Sequence, residues 1–247
     1  MTFRNAPAPA RVLAMACALG LSGAAAAAPA AARPAPTPVV DVQPVVRMAP
    51  DGRSMTVQVL ASCPERWTVV EAVVAVSQPQ ASGRASVPLT CIGSLRMFTV
   101  TVGSPTGTFG LGTAQAGASV VVQRGNTARA QDAELAQVEP IVLTELAESA
   151  RLERGGAAVM IAVTVACPQG TNGLPSGVNV SQQGQVTGNG AYTPVCDGGP
   201  HTFSVSVEAS EGLYRAGIAQ ALTFANIEHA GNPFVGVDDD GALELVP

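Results

Sequence analysis

Residues 98–102 are Phe98-Thr99-Val100-Thr101-Val102, and residues 203–207 are Phe203-Ser204-Val205-Ser206-Val207. Both segments alternate apolar and hydroxyl side chains at period two, which is typical of a half-buried β-strand. They lie 105 positions apart, and the same offset places Phe109-Gly110-Leu111-Gly112 opposite Tyr214-Arg215-Ala216-Gly217. An internal repeat of one strand-rich unit therefore decides the fold.

The repeat continues on the N-terminal side of these strands. Cys63-Pro64 recurs as Cys167-Pro168 at an offset of 104, and residues 74–78 match residues 178–182 at the same offset. One residue is then inserted, so that Cys91 aligns with Cys196 at an offset of 105. Matches in register over about 60 residues indicate two copies of one domain, each of about 100 residues.

Each copy is predicted to be all-β. Residues 56–61 and 159–165 also alternate at period two, and turns are expected at the Gly-, Ser- and Asn-rich clusters 78–83 and 187–190. The one helix-like segment, 128–136, is interpreted as the closing strand of the first copy or its approach. About six or seven short strands per copy are typical of a Greek-key sandwich. The sequence predicts two tandem immunoglobulin-like Greek-key β-sandwich domains.

The disulfide motif of true immunoglobulin domains is absent. That bond joins strands far apart in sequence and has a Trp packed against it. Here the cysteines of each copy are only 28 and 29 residues apart, and Trp67 aligns with Thr171 in the second copy. The predicted sandwich class therefore rests on the strand pattern.

Residues 1–28 have the pattern of a secretory signal peptide. Arg4 and Arg11 precede the apolar run 12–21, and a string of alanines at 24–28 follows it. The apolar run is about half the ~20 residues needed to cross a bilayer, so we expect cleavage and secretion to the extracellular space. The mature chain is expected to begin between residues 27 and 35.

The rest of the chain divides into three predicted parts. Residues 29–38 are rich in Pro and Ala and are expected to form a disordered leader. The first sandwich domain is predicted to span 39–138 and the second 139–247, with Glu139-Pro140 at the boundary.

Charge and hydropathy exclude several functional classes. The charged fraction is 13%, about half of the usual ~25%, which argues against a disordered polyelectrolyte. All basic residues are arginines. Without the signal peptide, the chain has eleven arginines and eighteen carboxylates, which gives a net charge of −7. An acidic surface of this kind is not the footprint of a nucleic-acid or anionic-membrane binder. No later apolar segment has the length of a membrane span.

Four cysteines remain once Cys17 of the apolar run is set aside. They are Cys63, Cys91, Cys167 and Cys196, and an even number in an exported chain implies disulfides. Of the three connectivities, the repeat favours Cys63–Cys91 and Cys167–Cys196, because each copy must be closable alone. Each bond would add about 3–4 kcal/mol in the chain-entropy model. A metal site is disfavoured, since no CxxC pair is present.

Residues suited to catalysis are few. Neither His201 nor His229 accompanies a GxSxG elbow, and the Gly-rich segments lack the Lys of a phosphate-binding loop. Asp238-Asp239-Asp240 before Gly241 is the best metal candidate, but it lacks the alternating ligand spacing of a calcium loop. A solvated turn is expected there, with calcium binding left open. We therefore expect no enzyme activity, no catalytic residue, no metal and no cofactor.

Arg66 and Trp67 are the candidate binding residues. They lie in the loop after Cys63-Pro64, where the two copies differ most clearly: 65–68 has no likeness to 169–173. Trp and Arg are enriched among residues that dominate binding energy, and loops at sandwich ends vary without disturbing the core. The alternative interpretation is that Trp67 caps the core of the first sandwich.

Several motifs of the second copy belong to one pattern. They are Ala166-Cys167-Pro168, 178–182, Cys196-Asp197-Gly198, 201–205 and the Gly217-x-Ala219-x-Ala221 ending. In these motifs the copy resembles uncharacterised secreted sandwich domains of high-GC Gram-positive bacteria. The first copy departs from the pattern, with Ile92 in place of Asp and Leu95-Arg96 in place of Pro200-His201. The resemblance implies fold and export and assigns no catalytic residue.

Together these observations predict a secreted, non-catalytic binding or structural module. Its partner would be an extracellular protein, a glycan or a small molecule. A looser resemblance to the neocarzinostatin-type apoproteins implies the alternative, a small-molecule carrier with a cleft in one sandwich.

Overall fold

A computed structural model describes residues 37–247. The predicted signal peptide and residues 29–36 of the predicted leader lie outside the described residues. The described chain forms fifteen β-strands and one short 3-10 helix, Arg154–Gly156. The strands of the first repeat are β1 (Val39–Met48), β2 (Ser54–Ser62), β3 (Thr68–Gln78), β4 (Ala81–Ser86), β5 (Arg96–Gly103), β6 (Gly112–Arg124) and β7 (Asn126–Pro140). Those of the second are β8 (Leu143–Glu153), β9 (Ala158–Ala166), β10 (Asn172–Gly173), β11 (Ser176–Gln182), β12 (Val186–Tyr192), β13 (Pro200–Ala209), β14 (Gly217–His229) and β15 (Asn232–Val246).

Each repeat forms one sheet that folds back on itself around its own core. The first sheet has the order β4-β3-β6-β7-β1-β2-β5, and a bridge between Ser82 and Thr106 brings its two ends together. The second has the order β10-β14-β11-β12-β13-β9-β8-β15, and pairing of β14 with β15 closes it. We call these units the first and second sandwich. The predicted fold class, all-β with tandem immunoglobulin-like sandwiches, is confirmed.

Small aliphatic side chains fill both cores. The first core is built mainly from Val and Ala with Met48, Met55 and Phe109, and the second adds Ile161, Leu243 and two tyrosines to the same types. Inward side chains alternate with outward ones along the strands, as a two-layer packing of pleated sheets requires. The period-two pattern of the sequence corresponds to this alternation.

The first strand of each repeat crosses between the two layers. Strand β1 pairs antiparallel with β2 and, from Val45 onward, also parallel with β7. The crossing needs an irregularity between Val42 and Val46, and the Val42 N–H there donates to Asp132 Oδ2 at 2.7 Å. Strand β8 repeats the arrangement with an irregularity between Leu146 and Ala150.

The acidic run at 238–240 lies in strand β15, so the predicted solvated turn is wrong. Asp238 occupies the position of Asp132 and accepts the Leu146 N–H at 2.9 Å. The pairing of β14 with β15 shifts register between Ala221 and Thr223, where β15 carries an extra residue. A β-bulge accommodates that residue without ending the strand.

The predicted turn at 187–190 is also wrong, because these residues form the middle of strand β12. Its glycines allow the backbones of two neighbouring strands to approach closely. A Cβ on Gly188 would lie well inside contact distance of the Glu208 carbonyl oxygen, where β12 meets β13. Gly83, also predicted to lie in a turn, takes the same place in β4, against the Gly103 carbonyl. Glycine within a strand here marks a close approach of two backbones.

Segment 128–136 lies in strand β7, which confirms its interpretation as a strand. Strand β15 is its counterpart, although the sequence of the second copy shows no helix-like segment there. Strand β7 continues through Glu139 and Pro140, which pair with Arg47 and Met48 of β1. The division into domains at 138/139 stays a prediction.

One glutamine in each repeat holds a loop, the one before β6 in the first repeat and the one before β14 in the second. The Gln78 side chain accepts the Gly110 N–H at 2.7 Å and donates to the Gly110 carbonyl at 2.9 Å. Gln182 makes the same two bonds to the backbone of Arg215, at 2.9 and 2.7 Å. The two repeats therefore share this side-chain contact as well as their strand pattern.

Replacement of Gly188 by Ala is expected to lower the free energy of unfolding by about 3 kcal/mol, because the new methyl group would overlap both the Glu208 carbonyl oxygen and the Tyr214 hydroxyl. The matched control is Gly103→Ala, where a Cβ would meet nothing within 4 Å. Urea denaturation monitored by circular dichroism measures both. Equal effects of the two substitutions would contradict the close-approach explanation.

The Tyr192 hydroxyl lies 3.0 Å from Thr223 Oγ1 and donates to the Phe224 carbonyl at 3.1 Å. Burial raises the pKa of this phenol, and the Thr223 hydrogen bond offsets the rise in part. A raised folded-state pKa gives stability that is complete below the unfolded value of about 10 and is lost as pH rises through the folded one. We expect Tyr192→Phe to cost about 1 kcal/mol near neutral pH and to flatten the alkaline loss of stability. Denaturation at several pH values tests this, and an unchanged alkaline slope would contradict it.

Candidate binding surfaces

Each disulfide joins the loop after the second strand of its repeat to a later loop, the one before β5 in the first repeat and the one before β13 in the second. The two bonds are Cys63–Cys91 and Cys167–Cys196. Beside the first bond, the Gly93 N–H donates to the Cys63 carbonyl at 3.1 Å, and the Gly198 N–H does the same to Cys167. Each pair of loops is thus held together covalently and by backbone contact at one end of its sandwich.

The two predicted binding residues differ in their surroundings. The Trp67 side chain is partly buried and packs against the first core, and the backbone N–H of Trp67 donates to the Pro64 carbonyl at 3.3 Å. Arg66 is 77% exposed, and its nearest ionic partner, Glu65 at 3.8 Å, is exposed as well. The structure therefore places Trp67 as a partial cap of the core and leaves Arg66 facing solvent. Their role in binding stays a prediction.

Arg66 adopts a backbone conformation that favours glycine. Its φ is +66°, and the aligned residue of the second repeat is Gly170 with φ +88°. A left-handed conformation costs a residue with a Cβ about 1–2 kcal/mol. The first repeat therefore keeps an exposed arginine at a position where its own second copy uses glycine. Strain of this kind supports a hypothesis of function when it is observed, as it is here.

The two joined loops of the first sandwich, one of which carries Arg66, also expose apolar side chains. Ile92, Leu95 and Met97 are 45%, 56% and 55% exposed. Ile92 follows Cys91 directly, and Met97 is the second residue of β5. We call Arg66, Ile92, Leu95 and Met97 the tip.

At the aligned positions the second repeat has polar or turn-forming residues. Asp197 replaces Ile92, and its Oδ1 accepts the Gly199 N–H at 2.9 Å and lies 2.8 Å from His201 Nε2. The Gly199 hydrogen bond, followed by that of His201, holds the pKa of Asp197 below its usual value. A Cβ on Gly198 would lie 3.3 Å from the Pro50 carbonyl oxygen, so this loop lies against a turn of the first sandwich. The same end is covered in one repeat and open in the other.

The histidines have structural contacts in the described chain. His201 orients the Asp197 loop, and His229 Nδ1 lies 3.1 Å from the Gly170 carbonyl. Among the described side chains, which do not include those of Asp239 and Asp240, no three metal-ligating groups cluster. Within residues 37–247 no helix has the length and apolarity to cross a membrane.

A shallow depression lies on the outer face of each sandwich. The one on the first sandwich has a volume of about 420 Å³ and is lined by β3, β4, β6 and β7; the one on the second, about 410 Å³, is lined mainly by β11, β12 and β14. Both are open hollows on a sheet surface, outside the cores. The carrier alternative, a cleft in one sandwich, stays a prediction.

Sequence reasoning did not identify the apolar tip residues as candidates. Their signal was present in the alignment of the two copies, as the departure of Ile92 and Leu95 from Asp197 and Pro200. Because the side chains of Ile92 and Leu95 are exposed in the structure, they form a candidate binding surface. The outer sheet faces were missed for a different reason, since alternation alone does not show which apolar side chains remain uncovered.

No family model and no curated protein matches this chain. Among solved structures it is similar to one described as "Crystal structure of Dpr11 IG1 bound to DIP-gamma IG+IG2". The identity is 10%, the TM-score is 0.19, and the match covers 84% of this chain and 98% of that chain. The fold therefore rests on the strand order and pairing described above.

Replacement of Arg66 by Gly is expected to leave the free energy of unfolding unchanged or raise it by up to about 1 kcal/mol, because relief of the left-handed strain exceeds the entropy cost of glycine. The matched control, Arg96→Gly in strand β5, should lower it by about 1 kcal/mol. Urea titrations of both variants measure the difference. Losses of equal size in the two variants would contradict the strain at Arg66.

Proposed function

We propose that this chain is a secreted, non-catalytic binding module that holds a protein partner at the tip of its first sandwich. The observation that carries the proposal is Arg66, an exposed arginine kept in a left-handed conformation where the second repeat has Gly170. Nothing in the packing of the fold requires an arginine there, because its side chain is in solvent.

The chemistry of the tip favours a protein over a glycan or a small molecule. Leu95 and Met97 offer apolar area that would be removed from water, at about 25 cal/mol per Å². Arg66 beside them can donate to carbonyl or carboxylate oxygens at the rim of a contact. Interface centres combine apolar area with arginine in this way, surrounded by a polar rim.

Rigidity of the tip supports the same function. The Cys63–Cys91 bond and the Gly93 N–H contact hold the two loops together. Packing of Trp67 against the core anchors the first loop beneath Arg66. A loop ordered before binding loses less conformational entropy on association, which favours affinity.

Export is part of the proposal. The two disulfides fit an oxidising compartment, and residues 1–28 carry the signal-peptide pattern. The resemblance of the second copy to secreted sandwich domains of high-GC Gram-positive bacteria points the same way, and we propose kinship with them on the Cys-Pro and Cys-Asp-Gly motifs.

The test compares three immobilised forms of the mature chain: the wild type, Leu95→Ser/Met97→Ser, and the control Leu213→Ser, which changes an equally exposed apolar residue away from the tip. Each is incubated with surface and secreted proteins of the producing cells, cross-linked, and quantified by mass spectrometry. We expect a protein retained by the wild type and the control and at least about tenfold less by the tip variant.

Arg66→Gly extends the comparison, because it should weaken capture of the same protein while leaving stability intact. Retention that is equal for all forms, or no retained protein at all, would overturn the proposal.

A further inference from the structure

The outer faces of the two sandwiches differ in shape although their strands are equivalent. Residues paired directly across a sheet share a face, so the strand register defines each surface. We call the outer surface of β4, β3, β6 and β7 the first face, and that of β12, β11, β14 and β15 the second face. Both point away from the cores, and both carry the depressions described above.

The second face carries an apolar ridge. Val237 pairs with Phe224, and Val235 pairs with Asn226 beside it. Val235 and Val237 are 58% and 60% exposed, and Leu222 and Phe224 are half-buried next to them. The Phe224 ring lies over Gly177, where a Cβ would come within 2.8 Å of the ring. The ridge is therefore a fixed part of the sheet surface.

The first face carries a hollow lined by small side chains where the ridge has large ones, and Leu135, 72% exposed, borders it in the next cross-strand row. Ala75, Gly117 and Ala133 form one cross-strand row, and Ser119 lies in the next. Together with Val73 and Arg84 they line the depression of about 420 Å³. Ser119 Oγ is buried there without a hydrogen-bond partner among the described residues.

The charges on the two faces are complementary. Arg84 and Arg129 lie on the first face. Its carboxylates are Glu71, in the same row as Arg129, and Glu139 at the far end of β7, which pairs with Arg47 at 3.9 Å. Glu228 and Glu244 lie on the second face, at the two ends of the ridge, and no described residue of that face is basic. The two repeats as a whole also differ in charge. Residues 39–140 have seven arginines and seven carboxylates, whereas residues 143–246 have three arginines and eleven carboxylates.

We propose that a second copy of this chain occupies these faces, with the ridge of one copy in the hollow of the other. The contact joins two different faces, and each chain carries one face of each kind. A two-fold pair of chains therefore satisfies both contacts at once. A contact between two second faces would be less favourable, because Glu228 and Glu244 of one chain would lie close to the same carboxylates of the other and repel them.

The available area agrees with a pair held by two contacts. Four strands about 4.8 Å apart and some five cross-strand rows give each face about 400 Å². One such contact is below the size of a stable interface, whereas two bury about 800 Å² per chain, the usual amount for a specific complex. Apolar area at the centre and charges at the edge match the anatomy of such interfaces.

The test uses the disulfide-bonded mature chain in light scattering after size exclusion and in sedimentation velocity. We expect the mass of two chains at about 100 µM, falling toward one chain on dilution. Val237→Ser should weaken pairing at least about tenfold, because it removes the most exposed residue of the ridge. Met97→Ser, at the tip, should leave pairing unchanged, which separates this surface from the one proposed to bind a partner.

The decisive experiment reverses the charges on the two faces. A chain with Arg84→Glu/Arg129→Glu has two acidic faces, and a chain with Glu228→Arg/Glu244→Arg has two basic ones. Each alone should have the mass of a single chain, while an equal mixture should regain the mass of two, since both contacts of the mixed pair again join opposite charges. All four positions are on the surface, and thermal melts confirm that each variant is folded.

A wild type that keeps the mass of one chain at about 100 µM, or a mixture that fails to pair, would overturn the proposal. So would a Val237→Ser variant that pairs as well as the wild type.

Discussion

The strand that crosses between layers is the constraint on which both sandwiches depend. Strand β1 pairs with β2 on one side and β7 on the other, so it joins the two layers of the sheet around one core. A crossing strand must break its ladder and would leave a backbone N–H unpaired, at a cost of about 1–3 kcal/mol. The carboxylate of Asp132 accepts that N–H from Val42, and Asp238 does the same for Leu146.

The two repeats share the contacts that close the fold and differ in the surfaces they leave open. Glycine at the meeting of two strands, the glutamine that holds a loop and the disulfide between loops occur in both. The loops at the disulfide end differ, because the second repeat places that end against the first sandwich while the first leaves it free. Selection on the free end is not limited by packing, and there Arg66 and its apolar neighbours replace Gly170 and Asp197.

Duplication followed by divergence also explains the unequal charge. The second sandwich carries most of the acidic excess of the chain, and its outer face combines Glu228 and Glu244 with the exposed Val235 and Val237. The first sandwich has small side chains at the equivalent place and arginines around them. One ancestral surface has thus become two of unlike shape and charge. Unlike surfaces favour contacts between different faces over contacts of a face with itself.

Sequence alone determined the fold class and the repeat, because alternation at period two and matches in register are local properties of the chain. It also favoured one of the three disulfide connectivities, Cys63–Cys91 with Cys167–Cys196, since each copy has to close by itself. Only the tertiary structure decided the role of glycine and aspartate. The sequence predicts a turn at Gly188, but the structure places this glycine in a strand against the Glu208 carbonyl. The sequence also predicts a solvated turn at Asp238, but this carboxylate accepts the Leu146 N–H, which the strand ladder leaves without a partner. These roles depend on backbone groups distant in sequence, and a one-dimensional pattern does not encode such a meeting.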